Sequence, residues 1–412
     1  MNSIQEIDKM VRKRKIPLLH DHHNHPSQYA AFFDSPDLSG VKNKERAISI
    51  IQESAEMGKV NVVLGWNNSY YSFDIDDLKK LPPVIICNLS FHGFLHNQKA
   101  EEIVHERRED SEILEKMEDP AWMESNLPKI MGFLISIEGL DENRLDSLYD
   151  FYLDKGIWST EDMLLPSEEA LQTYVSSGYS ERTDFWTVLP TYEKMSEEAK
   201  KEIKGIKIFT DGALGPKTAA LEEKFPDDVG GELLHTEESL EKLIERIDKE
   251  KIAIHAIGDL AIKTVVESLI HLDKKGVDLP EIRIEHAQFI DEKTAKKAKS
   301  LGITLSMQPN FSMDSDHYSD RLSEKYLRSN NPFRMLIDEV GFIPGEDLIF
   351  GSDGMPHGVK GGLKSSLFPP YPGQRLTLKE FIDGYCTKDG EGSIDIEIDK
   401  DEGKIEVEEI NT

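Results

Sequence analysis

The chain has 412 residues, 38 % of them apolar and 31 % charged, with a formal net charge of −29. That charge speaks against nucleic acid and anionic membrane surfaces as partners, and two cysteines, Cys87 and Cys386, imply no disulfide framework. The length allows two or three average domains or one large barrel with insertions. No apolar stretch of signal-peptide length opens the sequence and no run reaches membrane-spanning length, so a soluble cytoplasmic protein is expected.

The run Pro17-Leu18-Leu19-His20-Asp21-His22-His23-Asn24-His25-Pro26 leads apolar residues into four histidines within six positions and closes on a proline. A buried strand followed by a tight loop reads this way. His23 and His25 share one strand face and can grip a divalent metal. His20 and His22 have the same spacing, so the residues alone leave the pair open. A solvated loop or an expression tag is also His-rich, but the apolar lead-in at position 20 argues against a tag.

Residues 44–57 show helical spacing, and 60–64 and 84–89 read as short strands. Residues 101–116 are heavily charged and read as an exposed helix with ion pairs. The apolar run 132–137 ends in Glu138-Gly139. From residue 156 strands and helices alternate. Strands are expected at 156–160, 185–189, 206–209, 252–255, 282–286, 303–307 and 348–350. Helices are expected at 167–175, 193–201, 236–249 with Thr236 as N-cap, 260–272, 292–300 and 378–386. With the His-rich strand first, this makes eight strands, the signature of a (β/α)₈ TIM barrel. The barrel domain spans 1–386 and carries an insertion at about 40–150. Residues 387–412 read as an acidic C-terminal β-hairpin, alternating along 393–399 and returning through Ile405 and Val407.

Active sites of such barrels lie at the C-terminal ends of the strands. His255 closes the fifth strand, His286 closes the sixth, and Asp353 follows the eighth. A lone strand-end histidine is more often structural; several at one rim with an aspartate are hard to explain as packing. Lys207 alternates with Ile206 and Ile208 and so points away from them. Burial would lower its pKa, and a neutral amine could take up carbon dioxide to form a bridging carbamate. The plainer reading of Lys207 is an exposed lysine at a strand's flank.

These residues carry a resemblance. Asp21-His22-His23-Asn24-His25, Lys207-Ile208-Phe209-Thr210-Asp211-Gly212, His255-Ala256-Ile257-Gly258-Asp259, Arg283-Ile284-Glu285-His286-Ala287-Gln288, Gln308-Pro309 and Gly351-Ser352-Asp353 occur in order. The chain resembles the amidohydrolase superfamily, above all its family 3 branch, whose members include N-substituted formamide deformylases. The family's Asp-x-His-x-His pattern selects His23 and His25.

The resemblance implies a metal-dependent hydrolase that uses metal-activated hydroxide on a non-peptide C–N bond, amide or formamide-like, of a small molecule. His23 and His25 would bind one divalent cation, carboxylated Lys207 would bridge, and His255 and His286 would bind a second. Asp353 would ligate and shuttle protons. One or two zinc ions suit this donor set, with iron or manganese as alternatives. His92, Asn97, Glu138, Asp211, Lys217 and Gln288 are candidate substrate contacts; a surface polar role for His92, Asn97 and Glu138 stands beside this. Gln308 is a candidate hydrogen-bonding support. The family's β-sandwich is expected to be reduced or missing here, and a homodimer is the assembly the resemblance admits. A phosphoester or lactone hydrolase on the same barrel, or a catalytically silent metal-binding barrel, are the alternatives.

Overall fold

The computed structural model describes residues 11–89, 91, 93–105, 111–225, 230–388 and 390–412. Its strands are β1 (Val11–Pro17), β2 (Leu19–Asn24), β3 (Asn61–Trp66), β4 (Val84–Asn88), β5 (Phe94–His96), β6 (Ile157–Asp162), β7 (Thr183–Thr187), β8 (Ile203–Phe209), β9 (Lys251–Ala256), β10 (Glu281–His286), β11 (Thr304–Met307), β12 (Leu348–Phe350), β13 (Ser393–Asp399) and β14 (Lys404–Asn411). Eight of them pair in parallel in the order β2-β6-β7-β8-β9-β10-β11-β12. This is the expected TIM barrel, and each of its eight strands overlaps a stretch read from the sequence.

The ends of that sheet meet through specific bonds rather than a full ladder. Asp353 N–H donates to His23 O at 2.7 Å, while Ser352 N–H and Oγ donate to the two Asp21 carboxylate oxygens at 2.8 and 2.5 Å. Gly351 makes this approach possible, because a Cβ there would lie 2.3 Å from His23 N.

Strand alternation sorts the barrel's side chains. Ile206, Ile208, Ile252, Ile254, Ile282 and Ile284 turn outward into the main apolar core beneath the helices. The residues between them, including Lys207, Ala253, Arg283 and Glu285, face the barrel interior. Helices return each strand to the next, and Ser167, Thr236, Asp291 and Thr377 cap four of them through side-chain oxygens.

Between β2 and β6 the chain builds an α/β insertion around the sheet β3-β4-β5. Both faces of that sheet are covered, which is why its strands read as continuous apolar runs. Val63, Val84 and Ile86 pack on one face with Trp66 and Phe73. Val62, Ile85 and Cys87 pack on the other with Phe32, Ile130 and Leu134, and barrel residues Leu164, Val188 and Phe209 join that second cluster. The insertion therefore sits over the C-terminal rim of the barrel. The run 132–137 lies within the helix Pro120–Glu138. Within the charged stretch at 101–116 the described residues are helical, over Gln98–His105 and Ser111–Lys116.

The chain termini meet in a three-stranded antiparallel sheet, β1-β13-β14. The expected hairpin is there, and the sequence reading missed its third strand, the basic segment Val11–Pro17. Lys13 lies 3.8 Å from Glu397 and Lys15 lies 3.5 Å from Asp395 across the pairing. Such exposed pairs set register more than stability, at roughly 0–1 kcal/mol each. Ile16, Ile394, Ile396, Ile398 and Ile405 bury the sheet's other face in the barrel's apolar core. Among the described residues no helix is long and apolar enough to cross a membrane.

Candidate metal centre

Four of the expected ligands converge at the barrel's C-terminal mouth. His23, His286 and Asp353 each offer a ligand atom within 4.8 Å of the other two. His25 Nε2 stands 3.2 Å from Asp353 Oδ1. The His286 ring lies 4.6 Å from that of His23 and 4.5 Å from that of His255. Strict alternation would send His286 outward with Ile284. A left-handed backbone at His286 (φ 70°), continued at Ala287 (φ 46°), turns it over the mouth, and Asp353 adopts φ 52° for the same end. Non-glycine residues in that region cost about 1–3 kcal/mol each and persist where the surroundings dictate them.

Each inward histidine is held by one nitrogen and leaves the other free to ligate. Glu285 Oε2 lies 2.5 Å from His23 Nδ1, and Gln308 Oε1 lies 2.7 Å from His286 Nδ1. This is the support that metal-binding imidazoles require. Burial, then the neighbouring Lys207 and His25, keeps His23 well below the usual imidazole range; burial, then His255 and His23, does the same for His286. Both are neutral lone-pair donors at neutral pH. Asp353 behaves oppositely. Burial raises its pKa, but His23 and His25 outweigh burial and hold it below the usual carboxylate range.

Lys207 points into the barrel with 2 % exposure, and its Nζ has no hydrogen-bond partner among the described residues. Burial pulls it down to about 8 against the pull of Glu285 and Asp353. The buried His25 Nδ1 is likewise without a partner. An orphaned imidazole nitrogen beside neutral imidazoles and a carboxylate fits a bound cation. His255 meets His286 edge to face at 70°, while its Nε2 lies 3.0 Å from Gly212 O.

Below the mouth runs a polar spine to which the sequence reading gave no role. Arg283 donates through Nε to Glu285 and through Nη1 to Glu161 Oε2 at 2.8 Å. β10 and β6 are not neighbours in the sheet, so this contact crosses the barrel interior. Trp186 Nε1 donates to the same Glu161 oxygen at 2.6 Å. Gly205 makes room for that indole, since a Cβ there would meet Trp186 at 2.4 Å. The signal was present in Arg283 and Glu285, charged residues alternating with buried isoleucines. Their partner on β6 was not visible locally.

Three candidate substrate contacts have partners within the chain. Asn97 is buried in the insertion, donating to Leu78 O and Pro82 O and accepting from Ala100 N–H, so it pins a strand-to-helix junction. Glu138 accepts from Val62 N–H at 2.9 Å and pairs with Arg144, bracing the insertion's sheet. Asp211 accepts from the backbone N–H groups of Ala220, Ile257 and Gly258, which uses both its oxygens to tie two rim loops together. His92 lies outside the described residues. Lys217 is on the rim loop after β8 with φ 63°.

Gln288 donates to Asp314 Oδ2 at 2.8 Å, and its own buried Oε1 has no partner among the described residues. Burial lifts Asp314 to about 7, against the lowering effect of the Gln288 bond. An unfolded aspartate titrates near 3.9, so the folded state holds the proton more tightly. Stability on this account falls as pH rises from about 4 to about 7 and stays lowered above. Asp314→Asn is expected to gain about 2 kcal/mol over wild type at pH 8, the partly exposed rim screening the rest, and nothing at pH 4. Denaturant unfolding at the two pH values checks this; an equal effect at both removes the titration account.

Residues 155–359 match the model of the amidohydrolase family. That match takes in barrel strands β6 to β12 and agrees with the family 3 resemblance of the motifs. Over 167 residues the chain is 34 % identical to "Putative amidohydrolase YtcJ" of Bacillus subtilis (strain 168), covering 39 % of this chain and 30 % of that protein. Over 381 residues it is 23 % identical to "Protein LONG AFTER FAR-RED 3" of Arabidopsis thaliana, covering 78 % and 64 %. The chain thus spans less than two thirds of either curated relative. An uncharacterized metal-dependent hydrolase of Pyrococcus furiosus has the same fold, with a TM-score of 0.67 at 21 % identity, covering 90 % of this chain and 80 % of that one. A second, from Pyrococcus horikoshii OT3, superposes with a TM-score of 0.63 at 20 % identity, covering 86 % and 74 %.

Proposed function

We propose that this chain is a metal-dependent hydrolase that cleaves a non-peptide carbon–nitrogen bond, amide or formamide-like, in a small molecule. The observation that carries the reading is the convergence of His23, His286 and Asp353 on one point, with His25 beside Asp353 and an unpartnered Lys207 Nζ in the same interior. His23 and His286 would hold the cation through their free nitrogens, with His25, His255, Asp353 and, if carboxylated, Lys207 completing one or two sites; zinc suits the set. A divalent cation there supplies a Lewis acid and lowers the pKa of bound water.

The protein's own groups do the rest. Asp353, anionic at neutral pH, takes a proton from the attacking water and returns it to the leaving nitrogen. The amide of Gln288 offers a free carbonyl oxygen for a substrate N–H. The insertion over the rim limits the site to small substrates, and Phe209 and Leu164 line its contact with the barrel.

Metal analysis by mass spectrometry after zinc reconstitution, with Lys207→Ala and Asp353→Asn beside wild type, tests the reading. Bound zinc that falls in both variants, with turnover of N-acyl or N-formyl compounds by wild type, supports it. Zinc binding that neither variant changes overturns the site, and hydrolysis of phosphoesters or lactones alone overturns the bond assignment.

A further inference from the structure

The barrel interior holds a second group of donors, on its N-terminal side. His20 and His22 on β2 and Glu161 on β6 each offer a ligand atom within 4.8 Å of the others. We propose that these three residues form a separate divalent-metal site of the zinc type, entered from the barrel's N-terminal mouth.

The distances suit a first-row cation. His22 Nδ1 lies 2.9 Å and His20 Nε2 3.6 Å from the same oxygen, Glu161 Oε1. Donors about 2.0–2.1 Å from a tetrahedral zinc stand about 3.4 Å apart, so the observed spacings straddle the required one.

His20 and Glu161 are each oriented by their other polar atom, as a built site requires. Ser159 Oγ lies 2.7 Å from His20 Nδ1 and turns Nε2 toward the carboxylate. Trp186 Nε1 and Arg283 Nη1 both donate to Glu161 Oε2, which leaves Oε1 to face the imidazoles. Access is present: the His20 and His22 side chains are 21 % and 23 % exposed, so water can complete the coordination.

Two cations oppose a bound metal, Arg283 on Glu161 Oε2 at 2.8 Å and Lys204 on Oε1; Arg283 is also held by Glu285, and Lys204 is the one on the ligating oxygen. Its Nζ lies 3.2 Å from Glu161 Oε1, but it also has Asp184 Oδ2 at 2.7 Å and can be carried by that carboxylate alone when a cation takes the oxygen. The site shares no ligand with the centre at the C-terminal mouth and does not depend on the hydrolase reading.

Zinc titration of metal-stripped protein, followed by native mass spectrometry, tests the proposal. His20→Ala is expected to lose one equivalent relative to wild type, and His286→Ala to retain it. Ser159→Ala is expected to weaken that equivalent by about 10–100-fold, as loss of a ligand's support does. Lys204→Met is expected to tighten it, which a hydrogen-bonded cluster without metal would not show. If His20→Ala misfolds, the Ser159 and Lys204 variants decide. Wild-type and His20→Ala stoichiometries that agree, or Ser159→Ala and Lys204→Met affinities equal to wild type, overturn the site. Loss of zinc in His286→Ala alone would leave the hydrolase centre intact and remove this one.

Discussion

Asp353→Asn is expected to lower turnover by about 10²–10⁴-fold, the range lost when a positioned proton-transfer group is removed. The amide side chain keeps the size of the carboxylate but cannot accept the proton of the attacking water. The backbone role of residue 353 survives, because the closure of the barrel there runs through its N–H to His23 O at 2.7 Å. Ser352 continues to latch onto Asp21 beside it. The loss should therefore fall on kcat with little change in thermal stability. His23 and His25 also lose the anion that stands 3.8 and 3.2 Å from their Nε2 atoms, so weaker zinc retention should accompany it. Steady-state kinetics with zinc in excess separates the two effects. Turnover within tenfold of wild type under saturating zinc would remove Asp353 from the proton path.

Much of this arrangement could be read before folding, for a local reason. Each barrel strand is a short apolar run whose last residues turn polar, and that pattern put His255, His286 and Asp353 at one rim. Alternation set Lys207 opposite Ile206 and Ile208 but left an exposed flank as its plainer place, and the closed barrel buries it instead. What stayed hidden depends on neighbours far apart in sequence. Glu161 meets Arg283 from 122 positions away, and nothing in either segment names the other. Val11–Pro17 has no apolar alternation of its own and becomes a strand only beside the acidic β13. Asn97 was a candidate because its segment resembles one that borders the family's site, and Glu138 was set beside it. The insertion's own sheet claims both, and its pairings could not be ordered from the sequence. His20 and His22 fell from view when the family pattern selected the other pair.

Glu285→Ala should carry the largest cost to stability, because one carboxylate serves two buried partners. Glu285 accepts from Arg283 Nε on one side and faces His23 Nδ1 at 2.5 Å on the other. Burial alone would weaken the Arg283 guanidinium's hold on its proton, yet Glu161 and Glu285 together hold it above its ordinary range. Removing one of the two leaves a buried cation half compensated, a change that costs about 3–5 kcal/mol. His23 loses its orienting acceptor at the same time, which weakens metal binding by about 10–100-fold. The two effects can be pulled apart by a double substitution, Arg283→Met with Glu285→Leu. Apolar side chains of similar volume remove the half-compensated cation, and Glu161 keeps Lys204 Nζ at 3.2 Å and Trp186 Nε1 at 2.6 Å, so part of the stability should return, whereas His23 still lacks its acceptor and zinc affinity should stay low. Denaturant unfolding and zinc competition on the three proteins decide the matter. Should Glu285→Ala unfold within about 1 kcal/mol of wild type, the spine is not what holds the interior together. Should the double variant regain zinc affinity, Glu285 acts on the fold and not on His23.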